Sequence, residues 1–156
     1  MEVSMTAPTA DRVRPGRVAT AFNSAVAWLA RRGVSVYGSR ELAVRGRTSG
    51  QWRTVPVNVL RVDGAEYLVA ARGVTQWVRN MRVAGSGELR LGRAVEPFAA
   101  TEVTDPAAKV PVLRAYLRKW AWEVGAFFPG LTADSSDEAL AAAADRYPVF
   151  TLMRSR

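Results

Sequence analysis

At 156 residues the chain is in the usual range for one domain and long enough to bury a hydrophobic core without metals or cross-links. It has no cysteine and no histidine, which excludes disulfides, thiolate nucleophiles, Cys- or His-ligated metals and Ser-His-Asp chemistry; any reaction must come mainly from a bound cofactor, or the protein is not an enzyme. Twelve arginines against four acids between positions 31 and 93 carry the whole net charge of +8, so the partner of that stretch is expected to be anionic.

Residues 1–14 are polar and read as a loose tail, broken by Arg14-Pro15-Gly16. From 17 to 32, Val18, Phe22, Ala25, Val26 and Leu29 fall on one helical face, and Gly33 is the stop. This amphipathic helix either packs on the core or lies on a membrane surface, which Trp28 and Arg31-Arg32 would permit. A short strand is expected at 41–45. Residues 53–62 alternate, with Val55, Val57 and Val59 on one side and Thr54, Pro56 and Asn58 on the other. Asp63-Gly64 supplies a tight turn, and 67–71 returns as the partner strand of a hairpin.

Thr75 can cap a short helix with Trp77, Met81 and Ala84 on one face, ended by Gly85. A second strand pair is expected at 88–91 and 95–103, joined across Gly92-Arg93. Asp105-Pro106 signals a helix start, and Val110, Leu113, Tyr116, Leu117, Trp120 and Val124 form a helical stripe; Pro111 suggests that the regular part begins near there. Ser135 and Glu138 have capping-box spacing before an alanine-rich helix, and 148–153 reads as a closing strand.

Strands joined by hairpin turns, with helices around them, do not show the regular alternation of a doubly wound fold. The expected class is α+β: one domain over 1–156 built on a small, mainly antiparallel barrel with peripheral helices. No stretch approaches the roughly 20 apolar residues of a membrane span, and no apolar segment precedes a cleavage site, so a cytoplasmic protein is expected.

Gly46-Arg47-Thr48-Ser49-Gly50-Gln51-Trp52-Arg53 is the most informative stretch. Two glycines bracket a turn whose amides can point at one anion, with two hydroxyls between them and Arg47 and Arg53 at the opening. Twenty of the 22 basic residues are arginine, whose fork suits phosphate or carboxylate. The turn lacks the Gly-Lys-Ser/Thr ending of a Walker A loop, and Gly85-Ser86-Gly87 completes no dinucleotide fingerprint. A plain solvated hairpin loop is the ordinary alternative.

The order Gly46-Arg47-Thr48-Ser49-Gly50, Arg53, Pro56, Asp63-Gly64, 67–73 and 77–82 resembles the deazaflavin-dependent nitroreductase and quinone reductase family, most closely over about 42–92. The resemblance implies a split β-barrel similar to FMN-binding proteins. It also implies hydride transfer from reduced coenzyme F-420 to a flat, hydrophobic acceptor: a quinone, an enone or a nitro compound. Arg47, Thr48 and Ser49 would then hold the phosphate or glutamate tail, with Arg53 adding a cation. The run Arg53, Thr54, Val55, Pro56, Val57 and Asn58 would lie along the ring. Ala70, Ala71 and Arg72 would close the phosphate side, and Trp77 and Asn80 would bound the tail and pocket wall. The connection from Arg72 to Trp77 is shorter than in the family's longer members.

Such a reaction needs the protein mainly to bind, orient and exclude water. The acceptor also needs a proton, for which Tyr116, Tyr147 and Tyr67 are the side-chain candidates in the absence of histidine. Tyr116, Trp120, Trp122, Phe127 and Phe128 either line the acceptor or pack the core. No metal is expected, and the protein is expected to be a monomer or homodimer. Rival readings are an FMN-binding split barrel, a non-catalytic F-420 carrier and a basic nucleic-acid module. No recognition-helix or RNA-binding pattern supports the last, so no nucleic-acid partner is expected. Peripheral membrane contact through the first helix is compatible with a lipid-soluble acceptor.

Overall fold

The computed structural model describes residues 39–155. The tail at 1–14 and the helix read at 17–32 lie outside the described residues, and with them the membrane-docking reading. The described chain forms strands β1 (Ser39–Arg45), β2 (Trp52–Asn58), β3 (Leu60–Val62) and β4 (Ala65–Val69), helix α1 (Gln76–Ala84), strands β5 (Ser86–Leu91) and β6 (Ala94–Val103), helices α2 (Pro106–Val124) and α3 (Asp137–Ala143), and strand β7 (Val149–Arg154).

All seven strands join one sheet in the order β2-β1-β5-β6-β7-β4-β3, and every pairing is antiparallel. Its outermost strands, β2 and β3, are separated along the chain by Val59 alone. A sheet whose opposite edges belong to one nearly continuous strand must curl until those edges meet. The result is a split β-barrel with helices at its periphery.

This topology corrects the hairpin read across Asp63-Gly64. The turn is there, with Asp63 at φ 50° and Gly64 at φ 83°. Only Leu60, Arg61 and Val62 pair across it, with Tyr67, Glu66 and Ala65. The first half of the alternating run, β2, instead pairs along its whole length with β1 at the other edge. Alternation reports which face a residue occupies and is blind to which neighbour it pairs with.

The inward side chains Leu42, Val44, Leu68, Leu89, Phe98 and Phe150 fill the barrel, and α1 lays Val78 and Met81 onto them. β5 can approach β1 closely because it carries glycine there: a Cβ on Gly87 would lie 2.7 Å from the Ala43 carbonyl oxygen. A second apolar layer covers the outer face at β3, β4 and β7, where Val110, Leu113, Tyr116, Leu117, Trp120 and Val124 of α2 pack with Leu140 of α3 against Leu60, Val69 and Val149.

Helix α2 begins where Asp105-Pro106 signals, but Pro111 lies inside it rather than near its regular start, because Asp105 caps the helix through Ala107 N and the buried Lys109 and Val110 anchor its first turns ahead of the proline. Helix α3 is capped by Ser136, whose Oγ accepts from Ala139 N at 3.1 Å; Ser135 instead accepts from Thr132 N in the preceding turn. No helix among the described residues is long and apolar enough to cross a membrane.

Candidate functional site

The turn between β1 and β2 is closed by Gly46 N donating to Gln51 O at 2.8 Å and Gly50 N donating to Gly46 O at 2.9 Å. Gly50 takes φ 73°, a conformation a side chain would resist. Ser49 Oγ accepts from Gln51 N at 3.2 Å. The amides of Thr48 and Ser49 are left without a hydrogen-bond partner among the described residues, beside the exposed Thr48 hydroxyl. Consecutive open amides are the ingredients of an anion nest.

Asn80 docks this turn onto α1. It is 5% exposed, and its Oδ1 accepts from both Arg47 N, at 3.1 Å, and Arg47 Nη1, at 2.8 Å. One oxygen thereby sets both the backbone and the guanidinium of Arg47, leaving the other guanidinium donors for a ligand. Arg53 runs alongside, its Cγ 3.6 Å from where a Cβ on Gly46 would stand.

Ion pairs sort the remaining arginines. Arg61 and Arg154 are held by Glu66, Arg82 by Glu102 and Arg90 by Glu88. Arg47, Arg53, Arg72, Arg79 and Arg93 have no carboxylate partner among the described residues and remain available to an external anion. The local excess of arginine therefore overstates the free charge.

From the turn, β2 runs away with Thr54 and Pro56 exposed and Val55 and Val57 half-buried against the barrel core. No strand pairs with its outer edge among the described residues. At its far end Asn58 Nδ2 donates to Glu123 Oε2 of α2 at 3.3 Å. Ala70 N is bonded to Pro148 O and Gly73 N to Ala70 O, which fixes the bend through Ala71 and Arg72 into α1. The Arg72 guanidinium carbon lies 4.8 Å from the Phe127 ring centroid. Trp77 packs on Phe150, ring centroids 5.8 Å apart, as part of the barrel core.

Of the residues singled out by sequence, the structure gathers Arg47, Thr48, Ser49, Arg53 and Asn80 at the turn. It strings Thr54 to Asn58 along β2 and places Ala70 to Arg72 at the entry to α1, toward Phe127. Tyr116 is buried in the α2 layer; burial, and then the nearby Glu123 charge, hold its phenol above the ordinary value. Tyr147 is also buried, its pKa likewise raised by burial, and its hydroxyl donates to Phe127 O at 2.6 Å. Tyr67 is half-buried in β4. Among the other aromatics, Trp120 and Phe128 are core, Phe127 lies beneath Arg72, and Trp122 is 60% exposed.

Sequence reasoning missed Glu123 and the pair Arg45 and Trp52. The Arg45 guanidinium carbon stands 4.1 Å from the Trp52 ring centroid, and its Nη1 donates to Gly50 O at 3.1 Å. Flanking position at a six-residue turn was the available signal for that pair. Nothing local marks Glu123, whose partner is 65 residues away.

A family model described as F420H(2)-dependent quinone reductase matches residues 30–122. No curated protein matches the sequence. Among solved structures, an F420-H2 dependent reductase, FDR-A, is 18% identical, with 74% of this chain and 94% of that one covered at a TM-score of 0.50. A chain described as a domain-swapped dimer is 18% identical over 87% of this chain and 96% of its own, at 0.53. A conserved hypothetical protein from Mycobacterium tuberculosis is 18% identical over 97% and 87%, at 0.50. These likenesses show the fold.

Proposed function

Because the chain belongs to the F420H(2)-dependent quinone reductase family, we propose that it binds reduced F-420 over the surface from the 46–51 turn along β2 and delivers its hydride to a quinone, with enones and nitro compounds as further acceptors of the same flat, electron-poor kind. The observation that carries the reading is the turn itself: open amides at Thr48 and Ser49 beside an Arg47 that Asn80 has already oriented. That donor set fits a phosphate or carboxylate, and the free Arg53, Arg72 and Arg79 suit a ligand with several negative charges.

The cofactor supplies the hydride chemistry, so the chain's own residues bind, orient and exclude water. The nest and Arg53 would hold the phosphate and tail. The outer edge of β2, unpaired among the described residues, would offer backbone donors and acceptors along a flat ring, interrupted at Pro56, which has no N–H. Ala70 and Ala71 leave room beside the bend, and Arg72 closes that side. Trp77, bound into the core, supports the wall from behind.

Of the three tyrosines, Tyr147 already has its hydroxyl spent on Phe127 O, which leaves the buried Tyr116 and the half-buried Tyr67 as candidates for the proton. The Asn58–Glu123 bond ties the end of β2 to the helix that carries Tyr116. Tyr147 would act by steadying Phe127 under Arg72.

Calorimetric titration with F-420, with FMN in parallel, tests the reading. F-420 is expected to bind and FMN to bind far more weakly, and Arg47→Ala should weaken F-420 by about 1.5–3 kcal/mol, the range for a hydrogen bond to a charged group. Saturable binding of FMN alone would replace the cofactor assignment, and binding without turnover of any acceptor would leave a carrier.

A further inference from the structure

The nest at 46–51 is an exposed turn, yet an anion site works only if its amides stay convergent. Two braces hold it. Asn80 grips it from α1, as described above. The other brace comes from the opposite face of the hairpin. Arg45 and Trp52 are cross-strand partners, one step from the pair Val44 and Arg53. Adjacent residues of a strand point to opposite faces, and Val44 is part of the barrel core, so Arg45 and Trp52 share the outer face while Arg53 lies on the other.

On that outer face the Arg45 guanidinium stacks 4.1 Å from the Trp52 centroid and donates to Gly50 O at 3.1 Å. Arg90 approaches the same ring at 5.2 Å and is itself held by Glu88 at 2.9 and 3.1 Å. Gly50 is the residue whose N–H closes the turn onto Gly46 O. Its carbonyl is thus tied to one strand and its amide to the first residue of the turn.

We infer that Arg45 is a positioning residue for the anion nest: stacked on Trp52 and bonded to the Gly50 carbonyl, it fixes the turn from the outer face without touching the anion. A lysine would keep the charge and lose both the planar stack and the fork geometry. Arg45 is therefore separated from Arg47 and Arg53, its neighbours in the same basic run, by what it does. The role in cofactor binding rests on the function proposed above, whereas the brace itself is a property of the free chain.

The test compares the wild-type chain with Arg45→Lys, Trp52→Leu and the double variant, by calorimetric titration with F-420 and by hydrogen exchange of the Gly46 and Gly50 amides with no cofactor present. Arg45→Lys is expected to exchange both amides faster and to bind F-420 about fivefold to tenfold more weakly despite its conserved charge. The double variant should be no weaker than Trp52→Leu alone, since both changes break one unit. Wild-type affinity and exchange in Arg45→Lys would overturn the inference. Weakened binding with unchanged exchange would overturn it too, by making Arg45 a direct ligand of the anion, as would additive losses in the double variant. If the wild-type chain fails to bind F-420, the proposed function falls, and the exchange comparison alone then decides the brace.

Discussion

Replacing Asn80 with alanine tests whether α1 orients the anion site. The change deletes one buried oxygen that accepts two hydrogen bonds, from Arg47 N at 3.1 Å and Arg47 Nη1 at 2.8 Å. A neutral bond contributes about 0.5–1.5 kcal/mol and one from a charged donor about 1.5–3, so about 2–4.5 kcal/mol bounds the loss. Arg47 is exposed, and water can replace part of what Asn80 supplied. The low end, about 2 kcal/mol, is therefore expected, which for a chain of this size lowers Tm by roughly 4–8 °C. F-420 affinity should fall as well, because Arg47 must then be ordered by the ligand. Asn80→Asp separates the two effects. It retains the acceptor and should recover most of the Tm, while its charge opposes a second anion and keeps affinity low. Thermal denaturation with calorimetric titration reads both quantities. An Asn80→Ala chain with wild-type Tm and affinity would refute the docking role, and full recovery of affinity in Asn80→Asp would refute anion binding beside Arg47.

Burial raises the Glu66 carboxyl, but Arg154 and Arg61 outweigh it and hold it below its ordinary 4.5. Its contribution to stability is therefore present above the ordinary carboxylate range and lost as pH falls through the lowered value; denaturant melts against pH should show Glu66→Gln with a shallower acid loss than wild type. Tyr116→Phe should lower kcat while leaving the KM for F-420 unchanged, and an unaltered kcat would assign the proton to Tyr67 or to water. Gly87→Ala should cost about 1–3 kcal/mol in chemical denaturation, because its methyl would meet the Ala43 carbonyl and neither strand can move without breaking its ladder.

Much of the local structure was legible because it depends on periodicity and on residues with restricted backbones. The stripe from Val110 to Val124 is buried as its spacing indicates, Gly85 ends α1 with its amide on Met81 O, and the closing strand lies where the apolar run 148–153 placed it. The 46–51 turn was legible for the same reason, since glycines, hydroxyls and arginines within eight residues are neighbours however the rest folds. The family resemblance over 42–92 added the cofactor.

Tertiary structure decided everything that depends on partners distant in sequence. The run 53–62 shows one unbroken alternation, yet its halves lie on opposite edges of the sheet, because barrel closure is a property of all seven strands together. Asn80 reads as one more polar residue on a helix until Arg47, 33 positions away, is found on its oxygen. The same holds for Asn58 with Glu123 and for the arginines, of which some are neutralised by carboxylates and others are left for a ligand. By itself the sequence determined which residues were suited to grip an anion. Which of them are free to do so, and which are spent on holding the others in place, was decided by long-range pairing, where side chains that composition counts alike acquire different neighbours.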